Sequence, residues 1–429
     1  MSTVTVDQAK LVLNAFAAIF QNNLVTADLC TWKKFDGEMN DRNGLTVVEQ
    51  VVPDYTTTFT NGVVADLTAG TQATDFGSEQ YQLRQVIGAS MGWADFVKIK
   101  DLGAARESEA LKAAALRLAH DIDAYILRFA ALASNNALGD GTSSVASWDD
   151  VVAGYTRLKE EGVDEDSNLR AVLSYGDKQA LGRDIVESVA AGDNLTAMGE
   201  GVYRSGWQGS VGGIPTTFTQ QLPSYTVGTR TLTGALTAGT AQSATTYTSV
   251  AISPAPGQFK TQLLSINLGG ATATVVDGET FTIAGVFAWD ARAKKALNYL
   301  QQFRVIGDTT AVASVASVRV FPALITSGPF RTIAAAPTNT AVVTFVGAPG
   351  AVLQPRFIAN KDAIVVNCAD LIMPATGTAR RMSLSKLPIS VRMWQDSTFA
   401  TGQHNVRFDI ALQANVRANG RPRLVRING

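Results

Sequence analysis

The residues best suited to chemistry are few. The chain has only two histidines, His120 and His404, and it lacks the H-E-x-x-H, G-x-S-x-G, Walker and paired C-x-x-C motifs. His120, Asp121 and Asp123 are candidate metal ligands by type, but on a helix these three positions do not share one face. A solvated polar face is therefore the favoured interpretation. We assign no catalytic, cofactor-binding or metal-binding residue, and we predict that the protein is not an enzyme.

Other polar features also allow ordinary explanations. Asn194 and Thr196 form a glycosylation acceptor pattern without a secretory context, and Cys30 and Cys368 lack metal-type spacing, which predicts free thiols. Residues 160–166 form an acidic turn, interpreted as a solvated face. Four arginines near the end of the chain leave three possibilities open, namely contact with nucleic acid, contact with the acidic turn of a neighbouring copy, or a solvated tail: Arg417, Arg421, Arg423 and Arg426.

Composition limits the classes of partner. The 429 residues carry a net charge of −1, from 36 basic and 37 acidic side chains, so tight binding of nucleic acid or anionic membranes is not expected. Charged residues make up 17%, below the roughly 25% usual in soluble proteins. No apolar run is long enough to cross a membrane, and the first residues lack the features of a secretory signal. Few charges and many small residues suit a chain that buries surface against copies of itself.

The most regular pattern in the chain predicts one long helix over residues 104–135, about 48 Å in length. Apolar residues recur along it at alternating steps of four and three, which is typical of a helix with one buried face. The positions are Leu111, Ala115, Leu118, Ile122, Tyr125, Phe129 and Leu132. A core helix of a large domain, a coiled-coil strand and the spine of an assembly-forming protein all remain compatible with it.

The region before this helix reads as one further helix and two strands. Residues 6–22 form an amphipathic helix, which either packs on its own domain or docks on a neighbour. Residues 44–52 and 80–87 have strand-like patterns, and the long polar segment between them predicts an extended hairpin.

The region after the helix mixes helices and strands. Ser147 and Asp150 form a capping box that opens a helix with Val151, Val152, Tyr155 and Leu158 facing inward. A strand is predicted at residues 169–174, followed by a helix at residues 177–190.

Residues 224–344 have the pattern of a small all-β barrel or sandwich. Asp277 and Gly278 predict a hairpin turn, and a helical interruption is possible over residues 288–300. The predicted strands are 246–252, 262–266, 271–276, 281–286, 303–306 and 314–321. The length of this segment fits an independent domain inserted into another one.

The last clear strand is predicted at residues 405–416. Its alternation places Val406, Phe408, Ile410 and Leu412 on one face and Arg407 and Asp409 on the other.

Several short motifs occur in the order found in a known family. They are Gln82–Arg84 before the spine helix, residues 202–215 and 222–223 before the predicted barrel, residues 278–286 within it, and residues 359–364 after it. In this order the chain resembles the major coat proteins of tailed phages with the Hong Kong 97 type fold, and it is most similar to the short-tailed phage coat family of the P-twenty-two type.

The resemblance implies an α+β fold of the Hong Kong 97 type with an inserted all-β barrel. The implied segments are an N-terminal arm at 1–43, an extended loop and the start of the peripheral domain at 44–100, the spine helix at 101–146, the first part of the axial domain at 147–223, the barrel at 224–344, and the axial and peripheral remainder at 345–429.

The resemblance also implies the function. Hexamers and pentamers of the chain would close an icosahedral phage head around double-stranded DNA, without sequence-specific binding, with a scaffolding protein and a portal as further partners. The protein would reside in the virion after assembly in the host cytoplasm. Residues 53–80 contain no lysine, so covalent crosslinking through the extended loop is not expected. The alternatives are an encapsulin-like compartment shell and, less favoured, a β-rich enzyme or carbohydrate-binding protein.

Overall fold

The structure is a computed structural model, and some parts of the chain fall outside the description that follows. The described residues are 6–38, 46–51, 77–82, 85–93, 109–139, 141, 147–161, 163, 168–190, 210–211, 214–237, 248–251, 258–290, 293–327, 331–374, 378–384, 386–398, 403–416 and 424–428.

Four α-helices lie within the described residues. They are α1 (Val6–Asn23), α2 (Glu109–Ala133), α3 (Trp148–Glu160) and α4 (Tyr175–Ala190). Short 3-10 helices lie at Val25–Ala27 and Lys361–Ala363.

Most of the remaining described structure is β. The strands are β1 (Thr31–Glu38), β2 (Thr46–Val51), β3 (Gly77–Gln82), β4 (Gln85–Trp93), β5 (Asn136–Leu138), β6 (Leu169–Leu173), β7 (Ser210–Val211), β8 (Ile214–Phe218), β9 (Tyr225–Thr226), β10 (Thr233–Leu236), β11 (Thr248–Ala251), β12 (Gln258–Asn267), β13 (Thr274–Val275), β14 (Thr280–Asp290), β15 (Lys295–Val305), β16 (Thr309–Thr310), β17 (Val315–Phe321), β18 (Val342–Phe345), β19 (Val352–Leu353), β20 (Arg356–Asn360), β21 (Ile364–Asp370), β22 (Thr378–Ser383), β23 (Ser390–Thr398), β24 (Gln403–Val416) and β25 (Leu424–Ile427).

The long helix is confirmed over its described part. Helix α2 spans 25 residues, about 38 Å at 1.5 Å per residue, and its predicted stripe faces the largest hydrophobic core. It ends at Ala133, two residues before the predicted end, because the Ser134 hydroxyl donates to the Asn136 and Leu424 carbonyls and directs the chain into β5. Residues 104–108 lie outside the described residues.

The first helix packs on its own domain. Leu13, Phe16 and Phe20 are fully buried in the same core as α2. The ring of Phe16 stacks on Phe408 of β24 with 4.0 Å between centroids. Of the two interpretations left open by the sequence, the structure selects packing within the chain for α1.

The first six-stranded sheet is built around β24. Strands run in the order β1-β21-β24-β23-β22, and β4 also pairs with β24. The apolar alternation predicted for β24 is confirmed, since Val406, Phe408, Ile410 and Leu412 are buried. Arg407 and Asp409 alternate with these residues along the strand, as predicted. Asp409 is fully buried and bonded to Arg392 at 2.6 Å and to Arg407. A carboxylate survives burial there because two guanidinium groups balance its charge.

The second six-stranded sheet has the order β5-β25-β20-β6-β8-β7, with α3 packed against it. The capping box at Ser147 and Asp150 is confirmed, with both reciprocal hydrogen bonds present. Val151 and Leu158 are buried as predicted, whereas Tyr155 is 36% exposed, so its inward orientation was predicted wrongly.

The barrel is closed by six strands. The order β10-β18-β14-β15-β17-β12 returns to β10, and β11 adds to β12. Phe281, Phe303 and Phe345 meet in its separate core. The predicted all-β barrel is therefore confirmed. The helical interruption considered possible over residues 288–300 is wrong, since residues 288–290 belong to β14 and residues 295–300 to β15, which pair with each other.

Two small pairings complete the connections. Strands β2 and β3 pair antiparallel, as expected at the base of the extended hairpin, while β4 is a separate strand. The barrel joins the rest of the chain through a ribbon of β9 and β19, continued by hydrogen bonds from Val227 to Ala351 and from Gly350 to Gly228. Residues 52–76 lie outside the described residues.

Candidate functional site

The candidate metal ligands do not converge. His120 is exposed, and Asp121 forms an ion pair with Arg117 at 3.0 Å on the surface of α2. Asp123 lies elsewhere and is fully buried, so its assignment to a solvated face was wrong. No cluster of three or more acidic, histidine or cysteine side chains suited to a metal occurs within the described parts of the chain.

Asp123 instead anchors the N-terminal segment. Its carboxylate accepts hydrogen bonds from the backbone N–H groups of Val25 and Thr26, at 2.9 and 3.0 Å, and from the Thr26 hydroxyl at 2.7 Å. Burial raises the pKa of Asp123, and the hydrogen bonds from Thr26 and Val25 oppose that shift. These contacts attach the short helix after α1 to the spine helix.

The two cysteines are structural. Both are buried and free, and burial raises the pKa of each thiol, that of Cys368 to about 12. A thiol that stays protonated at neutral pH is a poor nucleophile and metal ligand. The free thiols predicted from sequence are thus confirmed. None of the described helices is long and apolar enough to cross a membrane.

Polar contacts between the barrel and the rest of the described chain are concentrated where the barrel meets the second six-stranded sheet. We call this contact the barrel junction; it comprises Asn136, Ala137, Arg157, Glu161 and Arg426 on the sheet side, and Gly278, Thr280, Tyr299 and Gln302 on the barrel side.

Arg426 forms the part of the junction nearest the connecting ribbon. Its guanidinium is completely buried and donates to the Gly278 carbonyl at 2.7 Å and to the Thr280 hydroxyl at 3.1 Å. The ring of Tyr225 lies 5.3 Å from the same guanidinium. The solvated-tail interpretation is therefore wrong for Arg426. The other three arginines of that segment lie outside the described residues.

Glycine is required where the barrel turn approaches the spine helix. Gly278 has a φ of +89°, and a Cβ built on it would lie 2.6 Å from a methyl carbon of Leu132. The predicted turn is present, but it does not join a two-stranded hairpin, since β13 pairs with β16 and β14 with β15.

Gln302 completes the edge of the second sheet. Its side-chain amide accepts from the Ala137 N–H at 2.6 Å and donates to the Ala137 carbonyl at 2.7 Å. Strand β5 is the edge strand of that sheet, and an open edge can pair with another chain. The amide of Gln302 therefore occupies backbone groups that would otherwise be available at the edge.

Glu161 forms the far end of the junction. Its carboxylate accepts hydrogen bonds from the Asn136 side-chain amide at 2.6 Å and from the Tyr299 hydroxyl at 3.4 Å. The Arg157 Nε lies 3.4 Å from the same carboxylate. The Arg157 guanidinium also stacks 3.0 Å above the Tyr299 ring. Burial raises the pKa of Glu161 to about 8, against the opposing effects of Arg157, Asn136 and Tyr299.

The sequence analysis assigned this glutamate wrongly. Glu161 belongs to the acidic turn that was expected to be a solvated face, yet its side chain is only 6% exposed. Arg157 lies four residues earlier, and this i,i+4 spacing of opposite charges on α3 was a local signal. Tyr299 and Gln302 had no such signal, because they reach the sheet only through the folding of the barrel.

Comparisons with known proteins give one match of sequence. A family model described as "P22 coat protein - gene protein 5" matches residues 1–425. A search of curated protein sequences gives no match.

Several solved structures resemble the fold at low identity. The capsid of Ralstonia phage GP4 is 8% identical, with a TM-score of 0.45, over 95% of this chain and 89% of that chain. The capsid of Cyanophage P-SCSP1u is 10% identical, with a TM-score of 0.41, over 94% and 86%. The SrpI encapsulin of Synechococcus elongatus PCC 7942 is 8% identical, with a TM-score of 0.36, over 93% and 85%. None of these TM-scores reaches 0.5, so the sequence match is the informative similarity.

Proposed function

The chain belongs to the P22 coat protein family and is a phage major capsid protein, and we propose that its copies assemble as hexamers and pentamers into an icosahedral head that encloses double-stranded DNA. The family match over residues 1–425 carries this conclusion. The predicted capsid fold with an inserted barrel is confirmed by that match together with the closed barrel. The protein is accordingly a structural component of the virion that associates with copies of itself.

The finer assignments form part of the proposal. A scaffolding protein and a portal are proposed partners, and assembly is proposed to occur in the host cytoplasm. The segment boundaries given under Sequence analysis, from the arm at 1–43 to the remainder at 345–429, are retained as proposed divisions. Chemistry is not part of the proposed role, which is geometric: contacts that repeat head to tail close into rings.

We propose that the barrel braces its own subunit. The barrel junction supports this role, because it connects the barrel to α3, β5 and β25 through buried and partly buried polar contacts in addition to the ribbon of β9 and β19. A brace of this kind fixes the direction in which the barrel projects. One sequence must fit both five-fold and six-fold rings, so a rigid body with defined projections is an advantage.

Electron microscopy of particles formed by the expressed full-length chain, with its phage's scaffolding protein, tests the proposed assembly. Closed shells with five-fold and six-fold clusters of the chain are expected. A chain that elutes only as a stable monomer in size-exclusion chromatography, with or without scaffold, would contradict the proposal. The encapsulin alternative also predicts closed shells, but without packaged DNA. Nuclease-resistant DNA inside the particles therefore distinguishes a phage head from an encapsulin.

A further inference from the structure

Two buried guanidinium groups lie close together where the barrel meets the second six-stranded sheet. Arg304 of β15 lies directly opposite Thr280 of β14 in the antiparallel register, and Arg426 of β25 donates to the Thr280 hydroxyl at 3.1 Å. Opposite residues of paired strands place their side chains on the same face, so both guanidinium groups flank Thr280. Arg426 and Thr280 are fully buried, and Arg304 is 5% exposed. Burial and the Arg426 charge both lower the pKa of Arg304, against the effect of the Asp277 carboxylate, so the two like charges repel each other.

The acidic groups nearby do not balance both arginines. The Asp277 carboxylate lies 3.4 Å from Nη2 of Arg304. The carboxylate of Glu279 is already engaged, because it pairs with Arg230 at 2.8 Å. Among the carboxylates of the described residues, none lies within ion-pair distance of Arg426. Three buried guanidinium groups therefore face two carboxylates, which leaves one positive charge in excess.

Both arginines also have buried donors without an acceptor. The Nε atoms of Arg304 and Arg426 have no hydrogen-bond partner within the described part of the chain. A guanidinium group has five N–H donors, yet the described contacts are one of 3.4 Å from Arg304 to Asp277 and two from Arg426, to the Gly278 carbonyl and the Thr280 hydroxyl. Leaving a buried donor of a charged group unpaired is costly. The arrangement therefore indicates a further acceptor at this position.

Neutral groups around Arg426 balance its charge only in part. The ring of Tyr225 lies 5.3 Å from the guanidinium, and an aromatic ring attracts a cation without neutralising it. Gly278, which accepts from Arg426, lies against Leu132 in the last turn of α2. A helix C-terminus supplies about half a negative charge at most. The full positive charge of Arg426 is thus not matched by the groups that surround it.

We propose that a chloride ion binds between Arg304 and Arg426 and supplies the negative charge that the chain lacks there. The ion accepts hydrogen bonds from the two Nε–H groups. The Thr280 hydroxyl is a third donor, because its oxygen accepts from Arg426 and its own proton remains available. Bound in this way, the ion holds β15 of the barrel to β25 of the second sheet.

The surroundings favour a small ion and leave a route for it. The donors are almost completely buried, so a monatomic anion fits better than phosphate or a molecule that carries a carboxylate. The Asp277 side chain is 25% exposed and accepts a hydrogen bond from the exposed Gly307 at 3.2 Å. The ion can therefore reach Arg304 from solvent along this turn.

Urea unfolding of the unassembled full-length chain in potassium chloride or potassium gluconate, at equal ionic strength, tests the proposal. Gluconate is too large for the enclosed site, so the comparison separates binding from general screening. A ligand that binds only the folded chain lowers the unfolding equilibrium constant by a factor that grows with its concentration. Replacing gluconate by about 0.2 M chloride is expected to lower that constant about tenfold, with saturation at higher chloride.

Arg304→Met is the decisive variant, because it removes the charge and the donors while keeping a long side chain. Its response to chloride is expected to be less than about twofold. Arg128→Met, at an exposed position on α2, is the matched control and should keep the wild-type response. Equal chloride responses in the wild type and R304M would overturn the proposal.

The wild type alone keeps the test decisive if R304M does not fold. A specific site fills, so the chloride response must level off, whereas weak attraction to exposed cations or a general solvent effect continues to grow up to about 1 M salt. No difference between chloride and gluconate, or a chloride response without saturation, would overturn the proposal. These measurements do not depend on whether the chain forms shells.

Discussion

At the scale of single residues, buried guanidinium groups connect parts of the chain that are distant in sequence. Arg230, Arg356 and Arg426 are among the largest fully buried side chains. Arg230 pairs with Glu279 within the barrel, and Arg356 pairs with Asp177, each at 2.8 Å. Arg426 differs because its guanidinium donates to neutral oxygen atoms of the barrel, the Gly278 carbonyl and the Thr280 hydroxyl. Its guanidinium fork joins the two cores rather than stabilising one of them.

Arg426→Ala tests this connection. The substitution leaves the Gly278 carbonyl and the Thr280 hydroxyl without their buried donor, and each unsatisfied group costs roughly 1–3 kcal/mol. We expect the free energy of unfolding, measured by urea titration of the full-length chain, to fall by about 2–5 kcal/mol. Arg128→Ala, at an exposed position on α2, serves as the control and should change it by less than about 0.5 kcal/mol. Equal effects of the two substitutions would contradict the role of Arg426.

At the scale of secondary-structure elements, two helices begin with the same reciprocal capping arrangement. Ser147 and Asp150 exchange hydrogen bonds at the start of α3, and Ser174 and Asp177 do so at the start of α4. The second pair also engages Arg356 through Asp177. The start of α3 is therefore fixed locally, whereas the start of α4 is also tied to β20.

Ser147→Ala isolates the local contribution. Loss of a helix cap of this kind costs about 1 kcal/mol, because the Asp150 N–H loses its acceptor, the Ser147 hydroxyl. We expect a decrease of that size in urea unfolding, with α3 retained in circular dichroism. Ser147→Thr keeps the acceptor oxygen and should recover most of the stability. A Thr variant as unstable as the Ala variant would show that capping is not the cause.

At the scale of the whole molecule, the ribbon of β9 and β19 brings the two ends of the barrel segment together. The N–H of Gly350 donates to the carbonyl of Gly228 at 3.2 Å, so residues 229–349 can be removed by joining these two glycines directly. The body of the chain then keeps its own hydrophobic cores, which contain no residue of the barrel core.

This excision tests the bracing role of the barrel. We expect the shortened chain to fold less stably and to fail to form normal shells in electron microscopy, because α3, β5 and β25 lose their contacts with the barrel. The open edge of β5 is also expected to favour aggregation. A full-length chain produced under the same conditions is the control, and normal shells from the shortened chain would refute the brace.

The mature shell is expected to be non-covalent. The predicted extended loop at residues 53–80 contains no lysine that could form an isopeptide bond. When mature particles are boiled in detergent, this chain should therefore run as one band near 45.3 kDa on a denaturing gel. A ladder of crosslinked oligomers would show that the prediction is wrong.

The sequence by itself determined the features that depend on neighbouring residues. The periodic stripe predicted α2, reciprocal capping predicted the start of α3, alternation predicted the buried face of β24, and turn-rich β segments predicted an all-β barrel or sandwich, of which the structure has the barrel. Each of these signals depends only on residues that lie close together in the sequence. The ordered short motifs added the resemblance that the family match bears out.

Only the tertiary structure decided which polar side chains are buried. Asp123, Glu161 and Arg426 each belong to a segment that locally reads as a polar face or tail, and each is buried by an element far away in sequence. Residues 288–290 and 295–300 likewise follow the pairing of β14 with β15 rather than their local helical character. The physical reason is the same in all these cases, because burial and strand pairing depend on partners that the neighbouring sequence does not contain.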